Sequence, residues 1–327
     1  LLEEEKIKVA VIYKKDNLYL SGKCYDNTYY HFFIKALPRN KRLSITFFPT
    51  EEIFDAKILK NKFDIILLWS NSSYGMPKEI LGINDLDIPV IARCSDPGDA
   101  KKSIKNHKEW KINFYFDFYS EEFFHELYPK KFKYKTIFYT LESSLFQKVN
   151  PFSPRIKTSI LNSGNVGNTK FISKIINDIR NPKWNSYRCK VLRTKCNELP
   201  YVDYSSTLDH KFVNDNYSEL LQKYQAAIAA DTYTPVQKYW EIPAAGCVTF
   251  MEMTKKNKGE YLGFVDNESA IFIDEDNYTE KFREYLKSSD DEKWRKIAEN
   301  GRKYALEKFS NDKGVESLIQ IMEELIH

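Results

Sequence analysis

The chain has 327 residues, of which 42% are hydrophobic and 29% are charged, and its formal net charge is +4. This composition indicates a soluble globular protein, and the length predicts two domains that each bury a core of their own. No apolar run approaches the roughly 20 residues of a membrane helix, which argues against a helical integral membrane protein.

The five cysteines include no CxxC pair, which argues against a disulfide framework and against a zinc site. Cys94 and Cys247 stand in apolar, strand-like runs and are expected to be small core residues. The acidic start LLEEEKIKVAVIY turns directly into a strand, so no signal peptide is predicted. A reduced, cytoplasmic protein is the expectation.

The excess of positive charge lies in the first half of the chain. Residues 1–150 hold 24 Lys+Arg against 20 Asp+Glu, whereas residues 151–327 hold 26 of each. Lysines are interleaved with aromatic residues in Lys130–Lys135, a pattern that suits single-stranded nucleic acid but is also typical of an ordinary edge strand. Nucleic-acid binding is therefore not expected, while peripheral contact of this basic half with a membrane is left open.

Strands alternate with helices in the first half, which predicts βαβ units and a parallel sheet. The strand Ile7–Tyr13 is apolar throughout, as in strands that are buried on both faces. Further strands are predicted at Leu43–Phe48, Phe63–Trp69, Ile88–Ala92 and Phe114–Tyr119, with helices at Asp26–Leu37 and Glu51–Leu59.

Paired prolines at Pro151 and Pro154 mark the hinge, so the domains are predicted as residues 1–152 and 153–327. A second alternating set then begins with a strand at Thr158–Leu161. This strand runs into a turn, residues 162–168, and into a helix with isoleucines at helical spacing, Ile172, Ile175, Ile176 and Ile179.

A strand, a Gly-containing turn and a helix form a ready anion site, because free N–H groups and the helix dipole point the same way. Gly164 and Asn165 are the candidate ligand-binding residues in this turn, although Gly-x-x-Gly is also a common tight turn. A strand is predicted next at Arg188–Lys195 and a helix at Tyr217–Tyr224. A small-residue strand, Ala226–Ala230, then leads into Asp231, Thr232 and Tyr233, and ligands bind at such strand ends in open α/β sheets.

Residues 238–250, KYWEIPAAGCVTF, carry the most specific pattern. Lys238 and Glu241 are three residues apart and share one face of a predicted helix. The helix is expected to end at Ala244–Ala245, with Gly246 at its C-cap, where a positive φ costs little. The apolar run from Cys247 onward suits a buried strand.

This stretch resembles the donor-binding signature of GT-B glycosyltransferases of the group 1 and CgeB-like, spore-maturation lineage. Their pattern K-x-x-E-x-x-A-x-G, followed by an apolar strand, is matched by Lys238, Glu241, Ala244 and Gly246. The resemblance implies that the lysine meets the diphosphate of a nucleotide-sugar and that the glutamate accepts the ribose hydroxyls. Many members carry a second glutamate eight positions earlier, where this chain has Tyr233, so how the sugar ring is held stays open.

The resemblance also implies the fold, which is α/β with two Rossmann-like domains facing each other across a cleft. The final helix is expected to return to the first domain. The first domain would bind the acceptor and the second the donor.

The implied reaction is a hexosyl transfer from a UDP- or GDP-sugar to a hydroxyl of a glycan, lipid-linked or protein-linked acceptor, with no required cofactor. Lys238 is the candidate that stabilises the leaving diphosphate, with the Gly164–Asn168 turn or Lys23 as helpers. Asp96 is the candidate general base if the anomeric centre inverts, although its Asp-Pro-Gly sequence is equally typical of a turn. His31 is the alternative base.

No metal site is predicted, because Asp274-Glu275-Asp276 is interpreted as an acidic loop before a helix. Three other functions stay open. The first is another GT-B activity, such as that of a nucleotide-sugar epimerase or a phosphorylase, although the sequence shows no clear set of the extra acid/base residues that an epimerase needs. A two-lobed ligand-binding protein would also have two α/β domains, and a catalytically inactive GT-B relative would explain Tyr233. Donor hydrolysis would distinguish a live enzyme from both.

Overall fold

The computed structural model describes residues 5–17, 29–72, 75–182, 184–185, 187–206 and 216–327. Lys23 and the start of the predicted first helix lie outside these residues. The backbone divides into two compact units, Leu1–Thr140 with Asn311–His327, and Leu141–Ser310. The paired prolines predict the domain boundary at a different place, between residues 152 and 153. The assignment of the acceptor to the first domain and of the donor to the second stays a prediction.

The strands follow one another along the chain as β1 Ile7–Lys14, β2 Leu43–Thr50, β3 Ile53–Asp55, β4 Ile65–Leu68, β5 Glu79–Leu81, β6 Val90–Arg93, β7 Ile112–Asp117, β8 Tyr134–Thr136, β9 Ile160–Ser163, β10 Val202–Ser205, β11 Ala226–Ala229, β12 Val248–Glu252 and β13 Ile271–Ile273. The α-helices are α1 Tyr29–Ala36, α2 Ala100–Ser103, α3 Asn106–Glu109, α4 Glu121–Leu127, α5 Phe171–Arg180, α6 Val191–Cys196, α7 Asn216–Leu221, α8 Lys238–Ala244, α9 Tyr278–Lys287, α10 Glu292–Lys308 and α11 Asn311–Ile326.

The first unit is built on a six-stranded sheet with the order β2-β1-β4-β6-β7-β8. Every pairing in it is parallel, and β1 and β4 are aligned with Val9 opposite Ile65. The residues of β4 are fully buried, as their uninterrupted apolar sequence predicts for a strand covered on both faces. The basic and aromatic segment around Tyr134 forms β8, an edge strand.

The predicted helix at Glu51–Leu59 is wrong. The structure has the short strand β3 there, which pairs in parallel with β5, followed by a 3-10 turn over Ala56–Leu59. Phe54 is buried between exposed neighbours, which is the period of two that belongs to a strand. The Asp55 carboxylate then accepts a hydrogen bond from the Lys57 N–H at 3.0 Å and caps the turn.

The second unit has a five-stranded parallel sheet with the order β10-β9-β11-β12-β13. Its core is formed by strand residues such as Ile160, Ile228 and Phe250, packed with Phe282 of α9 and Trp294 of α10. Two parallel sheets, one in each unit, confirm the predicted α/β class.

The predicted strand at Arg188–Lys195 is also wrong. These residues form a 3-10 turn and then helix α6, while the second strand of the unit is β10. Leu192 and Cys196 are both buried and are four residues apart, which is the spacing of one helix face.

The C-terminal helix α11 belongs to the first unit, as predicted. The Asn311 side chain accepts a hydrogen bond from the Thr140 N–H at 2.7 Å, and Asp312 pairs with Arg39 at 2.9 Å. Gly314 lies against Phe138, where an added Cβ would stand 2.3 Å from the carbonyl oxygen. Close packing of this helix therefore requires glycine. Among the described residues, no helix has the length and apolar character needed to span a membrane.

Candidate active site

The polar residues of the second unit gather where β9, β11 and β12 end at their carboxyl termini. Ser163 closes β9, Asp231 follows β11, and Glu252 closes β12. The strands are parallel and aligned, with Ala227 opposite Leu161 and Ala229 opposite Met251, so these ends share one edge of the sheet. This edge is where open α/β sheets bind ligands.

Helix α8 begins at this edge and ends at the opposite one. Tyr239, Trp240 and Ile242 are completely buried and hold the helix against the sheet. Lys238 is its first residue and Glu241 lies one turn later, so both predicted donor-site residues are brought to the carboxyl edge.

Lys238 stands at this edge without a paired carboxylate among the described residues. Its ammonium group donates a hydrogen bond to Ser163 Oγ at 3.3 Å, and that hydroxyl is hydrogen-bonded to Tyr217 Oη at 2.8 Å. No carboxylate of the described residues lies within ion-pair distance of it. Burial lowers the pKa of Lys238 well below its usual value, and the neighbouring Arg193 lowers it further against the smaller opposing effect of Glu241.

Glu241 accepts no side-chain hydrogen bond from the residues that the structure describes. Burial raises the pKa of its carboxyl to about 7, and Lys238 offsets only part of this shift. A half-buried carboxyl with open hydrogen-bonding capacity is suited to accept two hydroxyl groups of a ligand.

Two further cations, Lys190 and Arg193, complete the cluster, and neither was selected from the sequence. The Arg193 guanidinium donates to the Ala230 carbonyl through Nε at 2.8 Å and to the Asn165 carbonyl through Nη1 at 3.1 Å. It also lies 3.5 Å from an Asp231 carboxylate oxygen. Burial lowers the pKa of Lys190, and Arg193 lowers it further.

Arg193 was missed because the sequence of its segment predicts a strand. The signal that could have found it is the spacing of Leu192 and Cys196, which is that of one helix face. In a helix, Arg193 directly follows a buried position. For Asp231, the sequence predicts only a position just after its strand. Burial raises the pKa of Asp231 to about 6, although Arg193 and Lys190 act in the opposite direction.

The predicted glycine turn lies at the same edge. Gly164 has a φ of +87°, and its N–H donates to the Ser205 carbonyl at 2.8 Å. The Gly167 N–H is taken by Thr194 Oγ1 at 2.7 Å, and a Cβ at Gly167 would stand 2.7 Å from Tyr187 Cα. The Asn165 carbonyl binds Arg193, while its N–H has no acceptor among the described residues.

Tyr233 is partly buried just beyond Asp231. Its ring lies 5.0 Å from that of Trp184, and the Lys256 ammonium stands 4.7 Å from its centre. The position where the resembled family often has a carboxylate is thus occupied by an aromatic ring that a cation already approaches.

Glu252 is a second buried carboxyl that the sequence did not single out. Its Oε2 atom has no hydrogen-bond partner among the described residues, and burial, with Asp231 as the next cause, raises its pKa to about 8. The backbone carbonyl of Glu252 is held by Asn257 Nδ2 at 2.6 Å and by Tyr239 Oη at 3.1 Å. The raised pKa favours the neutral form of this carboxyl.

Gly246 lies at the other edge of the sheet, just before β12. Its φ of +72° confirms the predicted turn after α8. Arg155 binds the carbonyls of Ala245 and Gly246 at 2.9 and 3.0 Å. The structure thus gives Gly246 a part in ending the helix, and its predicted contact with a donor stays a prediction.

Asp96, the candidate base, belongs to the first unit. It follows β6, its side chain is exposed, and its carbonyl accepts the Asp99 N–H at 2.9 Å as the Asp-Pro-Gly sequence turns. The neighbouring Ser95 N–H donates to Asn71 Oδ1 at 2.8 Å, which fixes the start of this loop. His31, the alternative base, lies half-buried on α1.

The carboxyl edge of the first unit also holds a buried cation, Arg93. Its guanidinium donates to the Trp69 carbonyl at 2.9 Å and to Asp117 at 3.4 Å. Tyr139 Oη lies 3.4 Å from the same guanidinium and donates to the other Asp117 oxygen at 2.9 Å. Burial raises the pKa of Asp117 to about 6, although Arg93 acts in the opposite direction.

The described residues contain no group of three or more His, Cys, Asp or Glu side chains arranged to hold a metal ion. The acidic loop at residues 274–276 is held by backbone hydrogen bonds and by an ion pair. Asp274 Oδ1 accepts the N–H groups of Asp276 and Asn277 at 2.9 Å each, and Glu275 pairs with Lys195 at 2.5 Å.

Part of the chain is similar to a known protein family. Residues 176–320 match the model of a family described as glycosyl transferase-like, Glyco_trans_1_2. This match includes Lys190, Arg193, Asp231, Lys238 and Glu241. No curated protein sequence matches the chain.

Several solved structures are similar over nearly the whole chain. Sucrose-phosphate synthase from Thermosynechococcus elongatus superposes with a TM-score of 0.60 at 10% identity, covering 98% of this chain and 99% of its own. Anabaena HepE in complex with UDP-glucose gives 0.57 at 10% identity, covering 97% and 100%. A glycosyltransferase from Rickettsia africae gives 0.56 at 10% identity, covering 99% of each chain. The fold is of the GT-B type.

Proposed function

We propose that the protein is a GT-B glycosyltransferase of the group 1, CgeB-like kind, which transfers a hexose from a nucleoside diphosphate sugar to an acceptor hydroxyl. The observation that supports this most is the cluster of Lys190, Arg193 and Lys238 at the carboxyl edge of the second sheet, with Glu241 beside it. The match of residues 176–320 to a glycosyl transferase-like family agrees with the proposal.

The cluster is electrostatically unfavourable without a ligand. Arg193 lowers the pKa of both Lys190 and Lys238, so the three cations repel one another in a partly desolvated place. Asp231 neutralises part of this charge through Arg193, while the hydrogen bond of Lys238 within the described part of the chain is to a hydroxyl. A diphosphate would supply the missing negative charge and would relieve the repulsion.

The same cations would act in the chemical step. As the sugar leaves, negative charge develops on the diphosphate, and fixed cations that are already in place stabilise it without reorganisation. Lys238 is the lead residue for this role, and the Gly164–Asn165 turn is the proposed backbone contact. No metal ion is needed in this scheme, because lysine and arginine provide the charge.

Glu241 would bind the ribose of the donor. Its carboxylate can accept two hydroxyl groups, and it lies one helical turn from Lys238, as a ribose lies next to its diphosphate. Tyr233 would lie near the sugar, where an aromatic ring replaces the second carboxylate of the resembled family. UDP is the first nucleotide to test, because HepE was solved with UDP-glucose, and GDP is the second.

The first unit would bind the acceptor, a glycan or glycoconjugate, with Asp96 as the base if the reaction inverts the anomeric centre. An exposed carboxylate at a strand end is free to approach an acceptor hydroxyl.

An inactive relative is the alternative that Tyr233 favours. Donor hydrolysis by the wild type would contradict inactivity.

Thermal unfolding with a panel of nucleoside diphosphates tests the donor site. A ligand at a hundredfold its dissociation constant stabilises the native state by about 2.7 kcal/mol. We expect UDP or GDP to protect the wild type and Glu280→Ala, an exposed control on α9, but to protect Glu241→Ala much less. Protection of no variant by any nucleotide would overturn the donor site, and equal protection of all three would remove Glu241 from it.

A further inference from the structure

Helix α5 presents its apolar face outward. Five large apolar side chains, Phe171, Ile172, Ile175, Ile176 and Ile179, are between 42% and 77% exposed. At about 100° per residue they span an arc of roughly 140° on one side of the helix. No residue of α5 is buried, so this face has no partner within the described residues.

The polar side of α5 is the one attached to the protein. Asp178 accepts hydrogen bonds from Asn185 Nδ2 at 2.7 Å and from Arg188 Nε at 2.8 Å. The Lys174 ammonium lies 3.6 Å from the centre of the Tyr187 ring. A helix of a globular protein normally turns its apolar stripe to the core. Here ion pairing and a cation–π contact hold the opposite side, which leaves the isoleucines facing away.

The sequence in and around α5 is basic. Residues 168–188 contain five Lys+Arg, namely Lys170, Lys174, Arg180, Lys183 and Arg188, against the single acid Asp178. A helix that combines an outward apolar face with flanking cations has the pattern of segments that bind anionic lipid surfaces. Ten residues make a helix of about 15 Å, too short to cross a bilayer but suited to lie in its interface.

We propose that α5 docks the protein on an anionic membrane surface, with Phe171 and the four isoleucines inserted among the lipids and the basic residues at the headgroups. This goes beyond the proposed function, because lipid binding does not require the chain to be a transferase. It also places membrane contact on the second unit, whereas the charge distribution of the sequence suggested the basic first half.

Vesicle flotation tests the proposal, using phosphatidylcholine alone and phosphatidylcholine mixed with an equal amount of phosphatidylglycerol. The wild type is expected to float with the mixed vesicles, weakly with the neutral ones, and less as salt is raised. Ile172→Glu/Ile179→Glu is expected to lower binding at least tenfold. Because glutamate also adds repulsion, Ile172→Ser/Ile179→Ser should lower it by the same order without a charge change.

The matched control is Ile53→Glu/Ile58→Glu, at two exposed isoleucines of the first unit. Unchanged flotation of this control, with unchanged melting temperatures of all variants, supports the role of α5. Failure of the wild type to bind anionic vesicles, or equal loss in the control, would overturn the proposal. So would a dimer, seen by light scattering, that the α5 variants dissociate while no vesicle is bound, because a second copy of the chain would then cover the face.

Discussion

The two sheets of this protein are both parallel, but their carboxyl edges differ in how far the positive charge there is neutralised by neighbouring groups. In the first unit the buried cation Arg93 is paired with Asp117 and also bound to a backbone carbonyl and a tyrosine hydroxyl. In the second unit three cations meet, and Lys238 is bound only by the Ser163 hydroxyl among the described residues. At the first edge the cation is paired with a carboxylate, while at the second edge Lys238 has no carboxylate within ion-pair distance among the described residues.

This difference shows how one architecture can carry two kinds of site. A buried ion pair that is complete in itself restricts the position of the strand ends but offers no charge to a ligand. A cluster of like charges lowers the stability of the native state. An anion that binds there removes the repulsion, and this gain contributes to its affinity. We therefore propose anion binding at the second edge and expect the first edge to bind neutral, hydroxyl-bearing molecules.

Removing Lys238 gives the largest expected effect. Lys238→Met should lower kcat/KM about 10²–10³-fold with any accepted donor, as loss of one group that stabilises developing negative charge commonly does. Its melting temperature without ligand should not fall, because a repelled, desolvated charge is removed. Steady-state kinetics and calorimetric unfolding check the two parts, and a destabilised but active variant would contradict both.

Removing Arg93 should have the opposite signature. Arg93→Met leaves the Asp117 carboxyl buried without its cation, and breaking such a pair typically costs about 3–5 kcal/mol of stability. Nucleotide affinity should stay within about twofold of the wild type, since this cation lies in the other unit. Denaturant unfolding measures the free energy of unfolding, and UDP titration measures the nucleotide affinity. A large loss of affinity without a loss of stability would contradict the contrast drawn between the two edges.

The pH dependence of nucleotide binding should have two limbs. Affinity should fall below about pH 7, because the ribose hydroxyls donate to the ionised Glu241 and protons compete for it. Affinity should fall again at alkaline pH as Lys238, whose pKa is lowered, loses its proton. On each limb, the affinity for the nucleotide is expected to change by nearly tenfold per pH unit. Titrations from about pH 5.5 to about pH 9.5 check this.

Two variants separate the limbs. Glu241→Gln should remove the acid limb alone, and Lys238→Met should remove the alkaline limb alone. A profile that keeps both limbs in both variants would mean that other groups, such as Asp231, control binding.

Replacing Tyr233 gives the smallest expected effect. Tyr233→Phe keeps the ring that contacts Trp184 and Lys256, so nucleotide affinity should change less than about twofold. Tyr233→Glu restores the carboxylate of the resembled family, and we expect it to alter the preference among sugars while UDP alone binds as before. Competition assays with UDP-glucose and UDP check this, and a changed affinity for UDP itself would place Tyr233 at the nucleotide instead.

Much of the fold follows from local patterns, because buried parallel strands such as β1 and β4 are continuous apolar runs. The Lys238–Gly246 segment was also readable, since helix spacing and a left-handed glycine are local properties. Arg193 was not, because its partners Ala230, Asn165 and Asp231 are distant in sequence. The outward face of α5 was unpredictable for a similar reason, since amphipathic spacing does not say which side finds a partner.

The most direct test of the charge cluster is calorimetric titration of UDP at about pH 8 in two buffers of different ionisation enthalpy. A bound diphosphate is expected to raise the pKa of Lys238 and also those of the carboxyls Glu241 and Glu252, so the part of the proton uptake that Lys238→Met removes reports on the lysine. We predict that the wild type takes up protons when UDP binds and that Lys238→Met takes up fewer. Binding of UDP without proton uptake, or equal uptake by both proteins, would contradict the account.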